Sequence, residues 1–598
     1  RRQRQMCIRD RKYKMKTIKT IILSLTCLAM VSCDFLDKEP TKLTPDNYFN
    51  NADEALSFLT SVYAPLTSQN FYGNEYMFMT GADDLSHYGG GRNPQTSGAI
   101  ACNNANSSSP QFSNLWQTLY TGIDRANTFL ENIDKSKDIS DKLLLQYTAE
   151  ARFMRAYYYF TLVQGWGDVP FKTTSTSSVT GLDIPRTDKQ TIYDFITTEM
   201  SECAEGLATA AELGYKPGHV SRSAAWGILA RVYLFRAGEH FRDNANGDAT
   251  AIQNYFKQAS TYAQKVMGEG HGLAANYWDV FIDLCSNQYN TTANESIWEA
   301  EFAGDYTSEV RAEGRIGNLI GIKCPDESND QSLIDAKDPG FGYAYFWSTP
   351  KLYELYKDNG DINRMNWNIA PFEYVEAVSK KGVTGRQFEY GKLEEVKNQY
   401  WDVSYSYGEG DSSKKTGDYE KTEADSEKNY SRACGKYRRE YEAYGTKKNK
   451  NYTSLNFPLL RYSDVLLMVA EAENEISSSP TTLAYKCLND VRNRAGIAPY
   501  EEGSLSKEAF RQAVKDERAM ELCFEHTRRY DLIRWGEYVK NMNELAPRAL
   551  QGANANWATG PSYSVYTFFQ ITDAYNYFPI PDSEMSVNKA ITQNNPGW

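Results

Sequence analysis

Four stretches of the chain repeat one spacing of residues, three, one and three positions apart. They are Trp116-Leu119-Tyr120-Ile123, Phe153-Ala156-Tyr157-Phe160, Trp226-Leu229-Ala230-Tyr233 and Val465-Met468-Val469-Ala472. At about 3.6 residues per turn, this spacing lays each quartet along one stripe and predicts an amphipathic helix. The order also matches the first half of the tetratricopeptide pattern, W-x2-L-G-x2-Y. Trp226-Leu229-Ala230-Tyr233 fits it best, with Ala230 at the small position where a neighbouring helix approaches. Partner helices are expected over 252–267 and 482–494, and further helices over 52–67, 141–164, 189–208 and 507–525. Ser140 and Ser506 stand where an N-cap hydroxyl accepts from the first turn. One amphipathic helix alone would show this spacing; four with matching aromatic and small residues predict helix-pair repeats. The linkers vary, and no strict period of about 34 residues survives.

Between 277 and 458 the texture changes. Gly, Asn, Asp, Ser and Tyr replace the helical pattern, and 405–452, low in aliphatic residues, predicts long loops with at most a β-hairpin. Helical periodicity returns at Leu460, and the closing FPIPDSEMSVNKAITQNNPGW predicts an extended tail. The expected fold is mostly α: tetratricopeptide-like helix-pair repeats with long irregular loops and minor β-hairpins. The chain divides into helical repeats over 51–276, a loop-rich ligand-binding region over 277–458, and helical repeats with the tail over 459–598.

The first residues follow another logic. In MKTIKTIILSLTCLAMVSCDFLD, Lys16 and Lys19 precede an apolar run over 21–31, too short for a bilayer crossing of about 20 residues. A basic start, a short apolar run and small residues before a break predict a signal peptide over 1–32. Met30-Val31-Ser32-Cys33 resembles a relaxed lipobox, so Cys33 is expected to carry acyl chains, with 33–50 as a tether. Each buried CH2 adds about 0.8 kcal/mol, so several chains hold a domain firmly on a membrane. The alternative is an ordinary cleaved signal with Cys33 as a free thiol. Residues 1–14 read as a mis-called start or an assembly artefact and are left out of the fold expectations.

The formal net charge is −12; residues 1–32 contribute nine Lys/Arg and one Asp, so the remainder is near −20. Such a balance argues against a nucleic-acid partner, which needs a basic face. Seven cysteines follow Cys33 without any CxxC, and mostly free thiols are expected. The 43 Tyr, 26 Phe and 11 Trp exceed what helix packing needs, and flat rings in loops suit sugar stacking.

No short pattern of catalysis is present: the five histidines form no HExxH, and there is no GxSxG, Walker loop or GxGxxG. No catalytic residue, metal or cofactor is expected. Asp83-Asp84 and Glu394-Glu395 could be posed as glycosidase acids, but that chemistry needs carboxyls about 5–10 Å apart across a cleft. Adjacent acids in so acidic a chain are expected to be solvated surface. The arginines of HTRRYDLIRWG, Arg528, Arg529 and Arg534, could bind an anion; the acids around them favour a structural ion-pair network between helices.

Several longer stretches fall in one order: EARFMRAYYYFTLVQGWGDVPF (150–171), RYSDVLLMVAEAENEI (461–476), LNDVRNRAGI (488–497), DERAMELCFEHTRRYDLIRWG (516–536) and the closing tail. With a leader ending in CDFLD, this set resembles the SusD/RagB family of Bacteroidetes outer-membrane lipoproteins. The resemblance implies four tetratricopeptide-like helix pairs, a surface-exposed and lipid-anchored place on the outer membrane, and capture of oligosaccharide. It also implies a SusC-like TonB-dependent transporter as partner, over which the protein acts as a lid, and no catalysis. The alternatives are a peptide-binding lid and a surface glycoside hydrolase.

Ligand aromatics in this family fall in two loop zones, carried over here by region only. One is ADDLSHYGGGRNP, where Tyr88, Arg92 and Asn93 offer a ring and donors beside three glycines. The other is GYAYFW, with Tyr343, Tyr345 and Trp347, which face either a ligand or the helix expected at Pro350.

Overall fold

Each of the four stripes lies inside a helix. The computed structural model describes residues 48–81, 83–88, 97–178, 180–243, 248–303, 314–322, 341–370, 432–442, 449, 451–552 and 568–598. The leader with Cys33, Arg92, Asn93, Glu394, Glu395 and most of 405–452 lie outside them. The main helices are α1 (Ala52–Tyr63), α2 (Pro110–Asn132), α3 (Asp141–Trp166), α4 (Lys189–Cys203), α5 (Arg222–Asp243) and α6 (Ala249–Met267). After them come α7 (Pro350–Asp358), α8 (Tyr462–Ile476), α9 (Thr482–Ala495), α10 (Lys507–Leu522) and α11 (Arg528–Arg534). Ser140 and Ser506 cap α3 and α10, accepting from the amides of Leu143 and Ala509. Pro65 shortens the first expected helix. It has no N–H to give the carbonyl of Ser61, so α1 stops at Tyr63 and the chain tightens into a 3-10 turn. The Ser61 carbonyl takes a bond from Arg125 Nη1 at 2.9 Å instead.

The helices pack in a row. α1 lies on α2, α2 on α3, and so on to α6, and α6 then packs on α8, which packs on α9. The chain therefore leaves the row after α6 and rejoins it at α8. Close approach needs small residues: Ala156 and Ala230 are fully buried, and a Cβ on Gly122 would come 2.4 Å from the Tyr158 ring.

Three antiparallel strand pairs hold the rest: β1 (Ser86–Tyr88) with β5 (Phe346–Ser348), β2 (Val169–Pro170) with β3 (Arg186–Thr187), and β4 (Ser296–Ala300) with β6 (Phe457–Arg461). Two of these pairs join segments far apart in sequence. The β4–β6 pair closes the excursion at its base, since β6 runs directly into α8. Trp298 of β4 is fully buried, its ring edge-on to Phe153 and Tyr157 of α3 at 5.4 and 4.8 Å.

The arginines of HTRRYDLIRWG belong to the interior. Arg518 donates to Asp464 and Asp531 at 2.7 and 2.8 Å, and Arg534 to Asp531 at 2.9 Å and to Glu471. Arg461 reaches Glu295, Glu525 and Glu521 at 2.8, 2.9 and 3.0 Å. All these groups are buried, and the network reading holds for Arg534 and for Arg528, which pairs with Asp84; Arg529 is buried too but donates to the Tyr538 hydroxyl and the Tyr575 carbonyl rather than to an acid. Six cysteines, Cys102, Cys203, Cys285, Cys434, Cys487 and Cys523, are buried and in no disulfide. The tail corrects one expectation: it is not wholly extended. Pro581, Asp582 and Glu584 open a short helix over Asp582–Val587, because proline is tolerated at a helix start and acids suit its first turn. No described helix is long and apolar enough to cross a membrane.

Candidate functional site

The two loop zones picked from the sequence meet as neighbouring strands. β1 pairs with β5 in the register Ser86↔Ser348, His87↔Trp347 and Tyr88↔Phe346. On the other side of β5, Ser348 N–H donates to the Arg432 carbonyl and Cys434 N–H to that of Phe346. The segment before β5 is pinned to the turn Ile316–Leu319 through its backbone. Tyr343 and Tyr345 N–H donate to the carbonyls of Asn318 and Leu319, both at 2.7 Å, and Asn318 Nδ2 donates to the Phe341 carbonyl at 3.2 Å. Between the tyrosines Ala344 takes φ +52°, a left-handed conformation that costs a non-glycine residue about 1–2 kcal/mol. Its carbonyl accepts the Trp347 indole N–H at 2.6 Å, which offsets part of that cost.

With the backbone held this way, the rings line up. Tyr343 and Tyr345 stack with centroids 4.8 Å apart and planes 23° apart. Phe341 meets Tyr343 edge-on at 4.5 Å, and Tyr345 leans on Tyr88 at 5.5 Å. Phe341, Tyr343, Tyr345 and Trp347 are half-buried, so the row forms a ledge. Tyr88 is only 8% exposed, packed between Phe78, Phe346 and Tyr345. It lies beneath the ledge rather than on its face. Gly98 makes room for it: a Cβ there would come 2.6 Å from the Tyr88 ring. Arg315 stands near enough for its charge to act on the Tyr345 hydroxyl, which burial and Tyr343 push up.

Asp83 and Asp84 sit under this ledge, not on the surface. Asp84 is fully buried, gripped by Arg528 Nε and Nη2 at 2.7 and 2.8 Å, by Lys351 of α7, and by Asn541 at 3.3 Å. Burial alone would raise its pKa, but Arg528 and then Lys351 hold it well below the usual range. Asp83 accepts the amides of Leu85 and Ser86 at 2.8 and 3.1 Å, closing the turn into β1. Burial and then the Asp84 charge push it up to about 7. Thr349 N–H and Oγ1 reach the carbonyls of Leu85 and Asp84, tying β5 to the same turn. The expectation of solvated acids fails here because two distant cations, Arg528 and Lys351, converge on Asp84, and adjacency in sequence does not show that. Buried and committed to these bonds, the two carboxyls do not face each other across a cleft as glycoside chemistry requires.

Among the described residues no group of three or more His, Cys, Asp or Glu is placed to hold a metal ion. What the ledge offers is a set of half-exposed flat faces with the Arg315 charge near Tyr345. Phe341, Asn318 and Arg315 were not anticipated. One signal was present: aromatic residues at 341, 343, 345 and 347 alternate, as a chain pressed to one side requires.

The model of the SusD family matches residues 294–598, more than half of the chain. The chain belongs to the SusD family. A second model, described as starch-binding and associating with the outer membrane, matches residues 34–234. SusD-like protein P25 of Formosa agariphila is 24% identical, over 97% of this chain and 98% of the relative. The starch-binding protein SusD of Bacteroides thetaiotaomicron is 24% identical over 80% of this chain and 78% of its own. A solved SusD homologue from the same organism superposes with a TM-score of 0.75 at 26% identity, covering 93% of this chain and 98% of that one. In this chain the fold is a row of helix pairs interrupted by the excursion between α6 and α8.

Proposed function

We propose that this SusD-family protein captures neutral oligosaccharides on the Tyr343–Tyr345 ledge and passes them, chemically unchanged, to a SusC-like TonB-dependent transporter. The observation that carries the reading is the β1–β5 pairing. It sets a preformed pair of stacked, half-exposed rings against Tyr88 at the end of β1. A sugar presents a C–H face to such rings and hydroxyls to donors at their rim, and rigid rings lose little rotamer entropy on binding. Tyr343, Tyr345 and Trp347 take the direct contacts, with Arg315, Arg92 and Asn93 as donors; Tyr88 supports Tyr345 from below. The region 277–458 supplies the ledge, and the helical regions 51–276 and 459–598 supply the scaffold and the transporter-facing side. The description of the second family model and the name of the Bacteroides relative support outer-membrane association and glycan as ligand. Acylated Cys33 and the tether over 33–50 provide the anchor, with the domain outside the cell.

The test is calorimetric titration of the full chain in detergent with maltoheptaose and laminariheptaose. Tyr345→Ala should weaken ledge binding roughly tenfold or more, about 1.4 kcal/mol, with the unfolding midpoint close to wild type. Unchanged ledge affinity, or release of new reducing ends from either saccharide, overturns the reading. Mass spectrometry of the membrane-extracted protein should find Cys33 acylated.

A further inference from the structure

A second concave surface lies on the helix row, away from β1 and β5. α2, the segments 170–176 and 182–184, and Glu584 and Asn588 border an open groove of about 580 Å3. That volume falls in the range of small-molecule sites, about 300–1,000 Å3. Its floor is one face of α2: Gln117, Tyr120, Thr121 and Asp124 follow the same three, one, three spacing, one residue on from the buried stripe.

The walls are fixed by backbone bonds, so the groove is preformed. Tyr120 OH donates to the Pro170 carbonyl at 2.7 Å, which sets its ring. Asn127 Nδ2 donates to the Thr174 carbonyl at 3.1 Å, and Thr176 N–H to Asp124 Oδ1 at 2.7 Å. On the far side Asn588 Nδ2 donates to the Ile184 carbonyl at 2.9 Å. Several polar groups facing this space remain unused among the described residues. The Gln117 carboxamide and the Thr174 hydroxyl make no hydrogen bond, and Lys172 Nζ uses one donor, on Thr176. Arg125 and Lys172 balance Asp124 and Glu584, two charges against two, so the lining favours no net charge in a ligand.

We propose that this groove is a second binding site for a neutral oligosaccharide, with Tyr120 as the stacking face and Gln117, Lys172 and Thr174 as hydrogen-bonding groups. The ligand class rests on the function proposed above; the site does not. Leu182 is the one large apolar side chain of its lining that stands exposed, and the unused polar groups need hydroxyls rather than an apolar protein anchor.

The same titrations separate the two sites. The full chain should bind two molecules of maltoheptaose or laminariheptaose. Thr174→Trp fills the groove from an exposed position without a side-chain bond. It should reduce the stoichiometry from two to one and leave the other affinity within about twofold. Gln117→Ala should weaken the groove site alone, about fivefold. A single site that is weakened by Tyr345→Ala and indifferent to Thr174→Trp overturns the groove and keeps the ledge. A single site lost in Thr174→Trp and indifferent to Tyr345→Ala keeps the groove and overturns the ledge. Binding of neither saccharide overturns both, and a membrane protein whose co-purification is lost in Thr174→Trp, with saccharide stoichiometry fixed at one, makes the groove a protein contact and overturns it as a sugar site.

Discussion

Around Arg461 charged groups answer one another inside the protein; around Tyr345 the rings pack on one another and remain half-exposed. Both regions are dense in residues often read as functional. Arg461 meets three carboxylates while 1% exposed, and Arg494 and Arg364 share Glu521 with it. Every guanidinium nitrogen of Arg461 is bonded to a buried acceptor, so it offers a ligand nothing. Tyr343 and Tyr345 are held through main-chain amides, and their ring faces stay half open. The difference teaches that density of chemistry does not make a site. A site needs groups that are positioned by one set of bonds and left free in another.

That contrast can be broken most severely at its buried end. Arg461→Ala leaves Glu295, Glu521 and Glu525 short of a cation in the interior and should cost about 3–5 kcal/mol, read from urea unfolding. A loss below about 1 kcal/mol would show that the cluster is not the closed network described. Asp84→Ala comes next, at about 3 kcal/mol, since Arg528 loses its buried partner. Unlike Arg461→Ala it should also weaken saccharide binding on the ledge, because β1 and β5 are tied to that turn; hydrogen exchange at Ser86 to Tyr88 should speed up with it.

The two regions should also answer pH with opposite signs. Burial would raise Asp464, but Arg518 and Arg231 bring it down to about 2. A depressed carboxylate adds stability that is present above its unfolded value near 3.8 and is lost as pH falls through about 2. Asp83 is raised to about 7, so its contribution is present below 3.8 and is lost as pH rises through 7. Asp464→Asn should flatten the acid limb of a stability profile, and Asp83→Asn the limb between pH 4 and 7. If the two substitutions flattened the same limb, the distinction between network and ledge support would fail. Smallest of all, Lys486→Ala breaks an ion pair whose lysine is 61% exposed and should change stability by less than about 0.5 kcal/mol.

Legibility followed distance along the chain. The helices were readable because the signal repeats within one or two turns; Ser140, Ser506 and the four stripes depend on neighbours three and four residues away. Their ends were less so, as at Cys203 and Leu522, where the helices stop short of the expected limits. The ledge was half legible. Its aromatic residues could be singled out, but the meeting of Tyr88 with Tyr345, and which of the two lies underneath, could not.

From the order of its residues alone this protein's helix-pair body follows, because periodicity and capping act locally, and its ordered motifs carry the resemblance to its family. Only the tertiary structure decided that β1 lies beside β5, some 260 residues later, that Asp84 is a buried clamp, and which acids Arg528 and Arg534 meet. Those outcomes depend on the excursion between α6 and α8 folding back through β4 and β6. Partners drawn together that way are chosen by proximity in space, of which the linear chain carries no local trace.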